Sequence, residues 1–323
     1  MTTTTAAGTT ATGTTPRYST RELQAAAAAL AAGRFATTLA PERPTGVTRD
    51  VAVPPPDSSA TVPRVSTGAL ANGGAPGADA AALGTWMVPG PLVRVRAANA
   101  GAGASTITLA LADAADAAGA RIRVLDAAAP GWSGLLGATA TELGATDGWR
   151  RGRRGAGVVI DRVEEPIAVP SEVPAPRPLD GIDLTVLDAG WSTRELAAAH
   201  PQAWIASSPV RAEVLVTRPG GLALSQAEAA LSDLEELEDL VVVDRVVVVV
   251  VGASRWRDRD FTMAGRHLRT LRDKDAVLFA PLLSAKALPG LGPDPLPKQL
   301  TTPAHRLLER VTTITGPLTA IRT

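Results

Sequence analysis

From about residue 85 onward, short apolar runs alternate with helical stretches, and this alternation constrains the fold more than any other feature of the chain. A parallel neighbour can pair with a strand only after a crossover. A chain written strand, helix, strand, helix therefore builds a mostly parallel sheet with helices on both faces. The apolar runs place strands at 92–98 (LVRVRAA), 121–125 (RIRVL), 157–163, 184–187 (LTVL), 212–216 (AEVLV), 246–251 (six valines) and 277–279. Helices are expected at 105–118, 193–199, 225–237, 257–272 and 302–311, with Ser192/Glu195 and Ser225/Glu228 as capping boxes. The stretch 150–180 carries five prolines and reads as an irregular excursion from the sheet. Aromatics make up only 3% of residues, so the core must be built from Ala, Val and Leu. The expected fold is a three-layer α/β/α domain over 85–323.

Residues 1–84 read differently. Thr, Ala, Gly and Pro dominate and large apolar residues are sparse, so this segment is expected to be a disordered arm. One short helix is expected near 20–32, started by a Ser19/Glu22 capping box. The same YSTREL/WSTREL device recurs at Trp191–Leu196.

Chemistry is expected at the first strand–helix junction. The run from Asn99 to Thr106 (NAGAGAST) sits between the 92–98 strand and the next helix. A glycine-rich turn there exposes backbone amides, and the helix dipole favours an anion beside them. Gly101 and Gly103 let the backbone wrap a phosphate, and Ser105 offers a hydroxyl to Mg²⁺. Asp126 and Asp188 each end a strand, and at the carboxyl edge of such a sheet both face one crevice. Without a metal or a phosphate the two carboxylates would repel each other. The alternative is that each caps the helix that follows it.

The loop and the ordered segments after it resemble the ParA/MinD family of deviant-Walker P-loop ATPases, over about residues 88–313. More narrowly they look like the actinobacterial ParA-like proteins that keep a G-A-G-x-S loop. The family loop reads K-G-G-x-G-K-[ST]-[ST]; Gly101, Gly103, Ser105 and Thr106 match it, with Ala102 between the glycines. Asn99 stands at the signature lysine, Ala100 at the first glycine and Ala104 at the invariant lysine. The segments RIRVLDAAAPGWSGLLG and DLTVLDAG resemble the family's two strand–aspartate units. The resemblance gives Asp126 a role in water activation and Mg²⁺ binding, and gives Asp188 the Walker B position near Mg²⁺. The second aspartate of the first unit is Ala128 here. The family's adenine-contacting Asn is absent, since the valine strand ends in Gly-Ala-Ser. The resemblance implies ATP or ADP with Mg²⁺ as ligand, a protein partner and a homodimer.

The cation count bears on that implication. Of 32 basic residues only Lys274, Lys286 and Lys298 are lysines, so no lysine lies near the loop in sequence to replace Ala104. The γ-phosphoryl then lacks its preorganised cations, and ATP hydrolysis is expected to be very slow or absent. Arg94 and Arg96 lie on the strand, and Arg218 follows a strand at the expected carboxyl edge, which makes it the best-placed substitute.

Other features exclude more than they suggest. There are no cysteines and only three scattered histidines, which argues against thiol chemistry and His-rich metal sites. The formal net charge is zero, which argues against global attraction to nucleic acid or membrane. The start has no signal-peptide pattern and no apolar run is long enough to span a bilayer, so a cytoplasmic protein is expected. Arg150–Arg154 (RRGRR) and Arg255–Arg259 are arginine clusters that either contact DNA phosphates or acidic partners or are solvated faces. Three functions stay open: a nucleotide-dependent regulator or scaffold in partitioning, conjugation, secretion or positioning machinery; a pseudo-ATPase serving only as an interaction module; and a DNA-binding partition factor.

Overall fold

The computed structural model describes residues 90–238, 242–257, 260 and 262–318. The expected arm and its helix near 20–32 lie outside the described residues, as does most of the Arg255–Arg259 cluster's second half.

The strands are β1 (Leu92–Ala97), β2 (Ile122–Asp126), β3 (Thr141–Thr146), β4 (Trp149–Arg154), β5 (Val158–Val163), β6 (Leu184–Ser192), β7 (Ala212–Thr217), β8 (Val246–Val251) and β9 (Val277–Ala280). The helices are α1 (Ala104–Ala117), α2 (Thr193–Ala199), α3 (Trp204–Ser207), α4 (Gly221–Glu238), α5 (Val242–Arg245), α6 (Arg266–Asp273) and α7 (Thr301–Thr315). The strands form one sheet in the order β3-β4-β5-β2-β6-β1-β7-β8-β9. All pairs are parallel except β3–β4 and β4–β5. This is the expected three-layer α/β/α fold.

The valine strand shows why both faces need helices. Val247, Val249 and Val251 pack into the cluster that holds α1 and α7. Val246, Val248 and Val250 pack into the cluster that holds α4 and α6. Period-two alternation thus shares one strand between two cores. Each buried valine contributes about 1.5–3 kcal/mol.

Near β1 the second face is polar. Arg94 and Arg96 both pair with Glu213 on β7, at 2.9 and 2.5 Å. Arg94 also donates to the carbonyls of Ile205 and Ala206 in α3. These arginines hold sheet and helix together and are not available to a phosphate.

Three sequence expectations are corrected. The 150–180 stretch is not wholly irregular: its start belongs to β4, which pairs antiparallel with β3 and β5. The β3–β4 turn is Asp147-Gly148, both with positive φ, the two-residue hairpin signal. Second, Ser225 lies inside α4 and starts nothing. Glu228 instead accepts from the amides of His267 and Leu268 and so caps the first turn of α6. Gly265 is required there, because a Cβ would come within 2.4 Å of three Glu228 side-chain atoms. Third, the 257–272 stretch is not one continuous helix: Asp260 and Thr262 are helical, the helix is interrupted at 263–265, and α6 then runs over Arg266–Asp273. The Ser192/Glu195 box is present as expected, with Glu195 N–H donating to Ser192 Oγ at 3.2 Å.

Candidate nucleotide cleft

The loop from Ala98 to Gly103 leaves the carboxyl end of β1 and enters α1. Gly101 and Gly103 have φ of 67° and 99°, a region that β-carbon sterics close to most residues. Gly103 is the N-cap of α1 and offers no side chain, so the amides of Ala104, Ser105 and Thr106 meet no protein acceptor. They point into a cleft of about 960 Å³ at the carboxyl edge of the sheet. Asn99 lines the same cleft, but its side-chain amide is spent elsewhere. Its amide donates to Thr217 Oγ1 at 3.0 Å and to the Ala223 carbonyl, tying the loop to β7 and α4.

Asp126 and Asp188 are direct partners on adjacent strands β2 and β6. Their environments differ. Asp126 Oδ1 accepts from the Ala128 amide at 3.2 Å and Oδ2 from the Ser133 hydroxyl. The buried Arg162 guanidinium, in register with Asp126 on β5, steadies its charge. Asp188 is buried with neither oxygen hydrogen-bonded, and it lines the cleft. It caps no helix, since α2 is capped by Ser192.

Burial is the main cause that raises both carboxyls, Asp126 to about 6 and Asp188 to about 7. The charge of Asp126 raises Asp188 further. The Ser105 hydroxyl and the Gly190 amide offset part of this without reaching hydrogen-bond geometry with it.

Two glycines bring the walls together. A Cβ on Gly134 would lie 2.7 Å from Ser105 Oγ, so the 133–135 segment rests on that hydroxyl. A Cβ on Gly190 would lie 2.5 Å from the Cα of Ala128, so only glycine lets these two strand ends approach so closely. Trp191 Nε1 donates to the Ala127 carbonyl at 2.8 Å and fixes that wall.

The structure therefore brings Gly101, Ala102, Gly103, Ala104, Ser105, Thr106 and Asp188 to one cleft. Asp126 lies behind it. Arg218 lies on the outer side of the loop, where its Nε donates to the Gly101 carbonyl at 3.1 Å and Nη1 to the Val251 carbonyl at 3.4 Å. Among the described residues that line the cleft, the charged ones are Asp188 and Glu195. Sequence reasoning missed Arg162, Ser133, Gly134 and Gly190. The signal for Ser133 and Gly134 was the short PGWSG turn after Asp126; Arg162 gave none, because only strand order places it there.

The chain is similar in structure to MinD and ParA ATPases. The MinD cell division protein of Aquifex aeolicus aligns at 14% identity and a TM-score of 0.47, covering 71% of this chain and 99% of that one. A plasmid partition protein of Borrelia burgdorferi bound to AMPPNP aligns at 11% and 0.48, covering 69% and 99%. The septum site-determining protein MinD of Pyrococcus horikoshii, complexed with Mg-ADP, aligns at 15% and 0.46, covering 70% and 97%. No family model and no curated protein matches the chain. At these identities and scores the likeness says nothing about chemistry.

The residues present fit a magnesium–nucleotide complex. Two orphaned carboxylate oxygens at Asp188 lie beside the Ser105 hydroxyl, under an uncapped helix N-terminus. Among the described residues no cluster of three or more His, Asp or Glu gathers to cage a metal. Mg²⁺ takes one or two carboxylates and leaves its other positions to water and phosphate, and one carboxylate beside one hydroxyl in this cleft suits that habit.

Proposed function

We propose that the chain binds ATP or ADP as the Mg²⁺ complex in this cleft. It acts as a nucleotide-responsive regulator or scaffold in partitioning, conjugation, secretion or positioning machinery, with a protein partner and a homodimer as its working assembly. The observation that carries the reading is Asp188, whose buried, unpartnered oxygens face a cleft walled by free helix-terminal amides. Bound Mg²⁺ would neutralise polyphosphate charge. The chain's own residues do the rest. The Ala104–Thr106 amides receive phosphate oxygens, Ser105 and Asp188 hold the ion, and Trp191 fixes the wall opposite.

Turnover is expected to be very slow or absent. Ala104 and Asn99 supply no cation, and Arg218 grips the loop's outer carbonyl. Asp126, the candidate for water activation, has both oxygens engaged by the 128–133 segment, so it can orient water only if that segment moves. A titration with labelled ATP tests the binding claim: saturable binding with Mg²⁺ supports it, and none at millimolar nucleotide refutes it. Steady turnover lost in Ser105→Ala would refute the low-activity claim.

A second reading, an interaction module without nucleotide, is favoured by the exposed Trp132 and Leu222, 86% and 76% accessible. It predicts no nucleotide binding. The DNA reading loses its footing at 150–154. Arg150 pairs with Glu164, Arg151 with Asp161 and Arg154 with Asp113, and among the described residues Arg153 alone of the four has no acidic partner. Among the described residues no helix is long and apolar enough to cross a membrane.

A further inference from the structure

A second cleft, of about 370 Å³, opens at the amino-terminal edge of the sheet, the opposite end from the glycine-rich loop. Arg211 stands just before β7, Arg245 just before β8 and Lys274 just before β9, and Arg310 projects from α7. Parallel pairing of β7, β8 and β9 brings these starts side by side, so cations distant in sequence converge on one cavity.

One acidic residue, Asp244, lines the cleft among the described residues, and Lys274 Nζ holds it at 2.8 Å. Four cations against one carboxylate leave an excess of positive charge. Arg211 and Arg245 are exposed, and neither has an acidic partner among the described residues. Arg310 spends Nη2 on the Lys274 carbonyl at 3.0 Å, while its Nε is buried without an acceptor.

We propose that this cleft is a binding site for a small multiply charged phosphate ligand, separate from the nucleotide cleft. Arginine forks match phosphate oxygens in pairs, and charge-assisted bonds of this kind are the stronger ones. The shape selects a small ligand over nucleic acid. Duplex binding uses a track of cations along many phosphates, whereas these four meet at one cavity within the size range of small-molecule sites. Thr313 and Ile314 complete the lining, giving one hydroxyl and one apolar contact.

The test is calorimetric titration of the full chain with inorganic pyrophosphate at low salt. Saturable binding is expected, weakened about tenfold or more in Arg211→Gln and in Arg245→Gln, as loss of a charge-assisted bond implies. Both are exposed positions, so folding is preserved, which circular dichroism checks. Ala104→Glu sets a carboxylate in the glycine-rich loop and removes any pyrophosphate binding there, so the binding that persists in this variant is read as this cleft's and should still be weakened by Arg211→Gln and by Arg245→Gln. Three outcomes overturn the proposal. One is no saturable binding at millimolar pyrophosphate. Another is binding lost in Ala104→Glu but kept in the two arginine variants. The third is duplex DNA binding more tightly than pyrophosphate through the same two arginines.

Discussion

Replacing Asp188 by Asn removes a buried carboxylate that lacks a partner, and its effect on stability should depend on pH with a definite sign. The folded carboxyl titrates at about 7, against about 3.9 in the unfolded chain. As pH rises through 4 the unfolded chain releases this proton first, while the folded protein still holds it. Stability is therefore lost between about pH 4 and pH 7, and the penalty is complete above 7. Linkage puts it at about 1.5 kcal/mol at pH 5 and about 4 kcal/mol at pH 8. The Asn amide brings its own burial cost of about 1–3 kcal/mol, independent of pH. The stability difference between Asp188→Asn and the parent should thus shift in favour of the variant by about 2.5 kcal/mol from pH 5 to pH 8. For a domain of this size that corresponds to about 5–10 °C in Tm. The assay is thermal unfolding of both proteins, without nucleotide or divalent ions, at half-unit steps of pH. A stability difference that stays constant from pH 5 to 8, or that shifts in favour of the parent as pH rises, refutes the account of Asp188 as a buried, unpaired acid.

Gly190→Ala should destabilise the fold by about 2 kcal/mol or more, because φ is 70° and the new Cβ would lie 2.5 Å from Ala128; urea unfolding reads this. Arg154→Ala should cost about 3–5 kcal/mol, since it strands Asp113 and frees the carbonyls of Ala138, Gly292 and Asp294. Cleavage by protease within 290–297 should rise with it. Ala104→Lys should tighten nucleotide binding about tenfold by adding one charge-assisted contact, measured with labelled ATP.

The parts of the fold legible in the sequence were those where one residue type reports one environment. The six valines of β8 read as a strand that is buried on both faces wherever it is central, and the sheet order makes it so. The Ser192/Glu195 box carried its own geometry within four residues. The glycine-rich loop announced a strand–helix junction, and the strand-ending positions of Asp126 and Asp188 placed both at one sheet edge. What could not be read depended on partners distant in the chain. The Ser225/Glu228 spacing matched a capping box, yet Glu228 caps α6, because the packing of α4 on α6 offers it two amides. RRGRR looked like a solvated or DNA-facing cluster, but a hairpin lays it along β5, where Asp161 and Glu164 neutralise two arginines. The Asp147-Gly148 turn that makes this hairpin was visible and went unread. Arg218 reached the loop as expected, but from outside, since the Gly101 and Val251 carbonyls hold it there.

The most direct measurement of the central claim is calorimetric titration of ADP into the protein and its Asp188→Ala variant at pH 8, with and without Mg²⁺. The account predicts saturable binding by the parent that is strengthened strongly by Mg²⁺, and binding by the variant that Mg²⁺ no longer strengthens. Binding that ignores Mg²⁺ in the parent, or that keeps its full Mg²⁺ dependence without the Asp188 carboxylate, would contradict it.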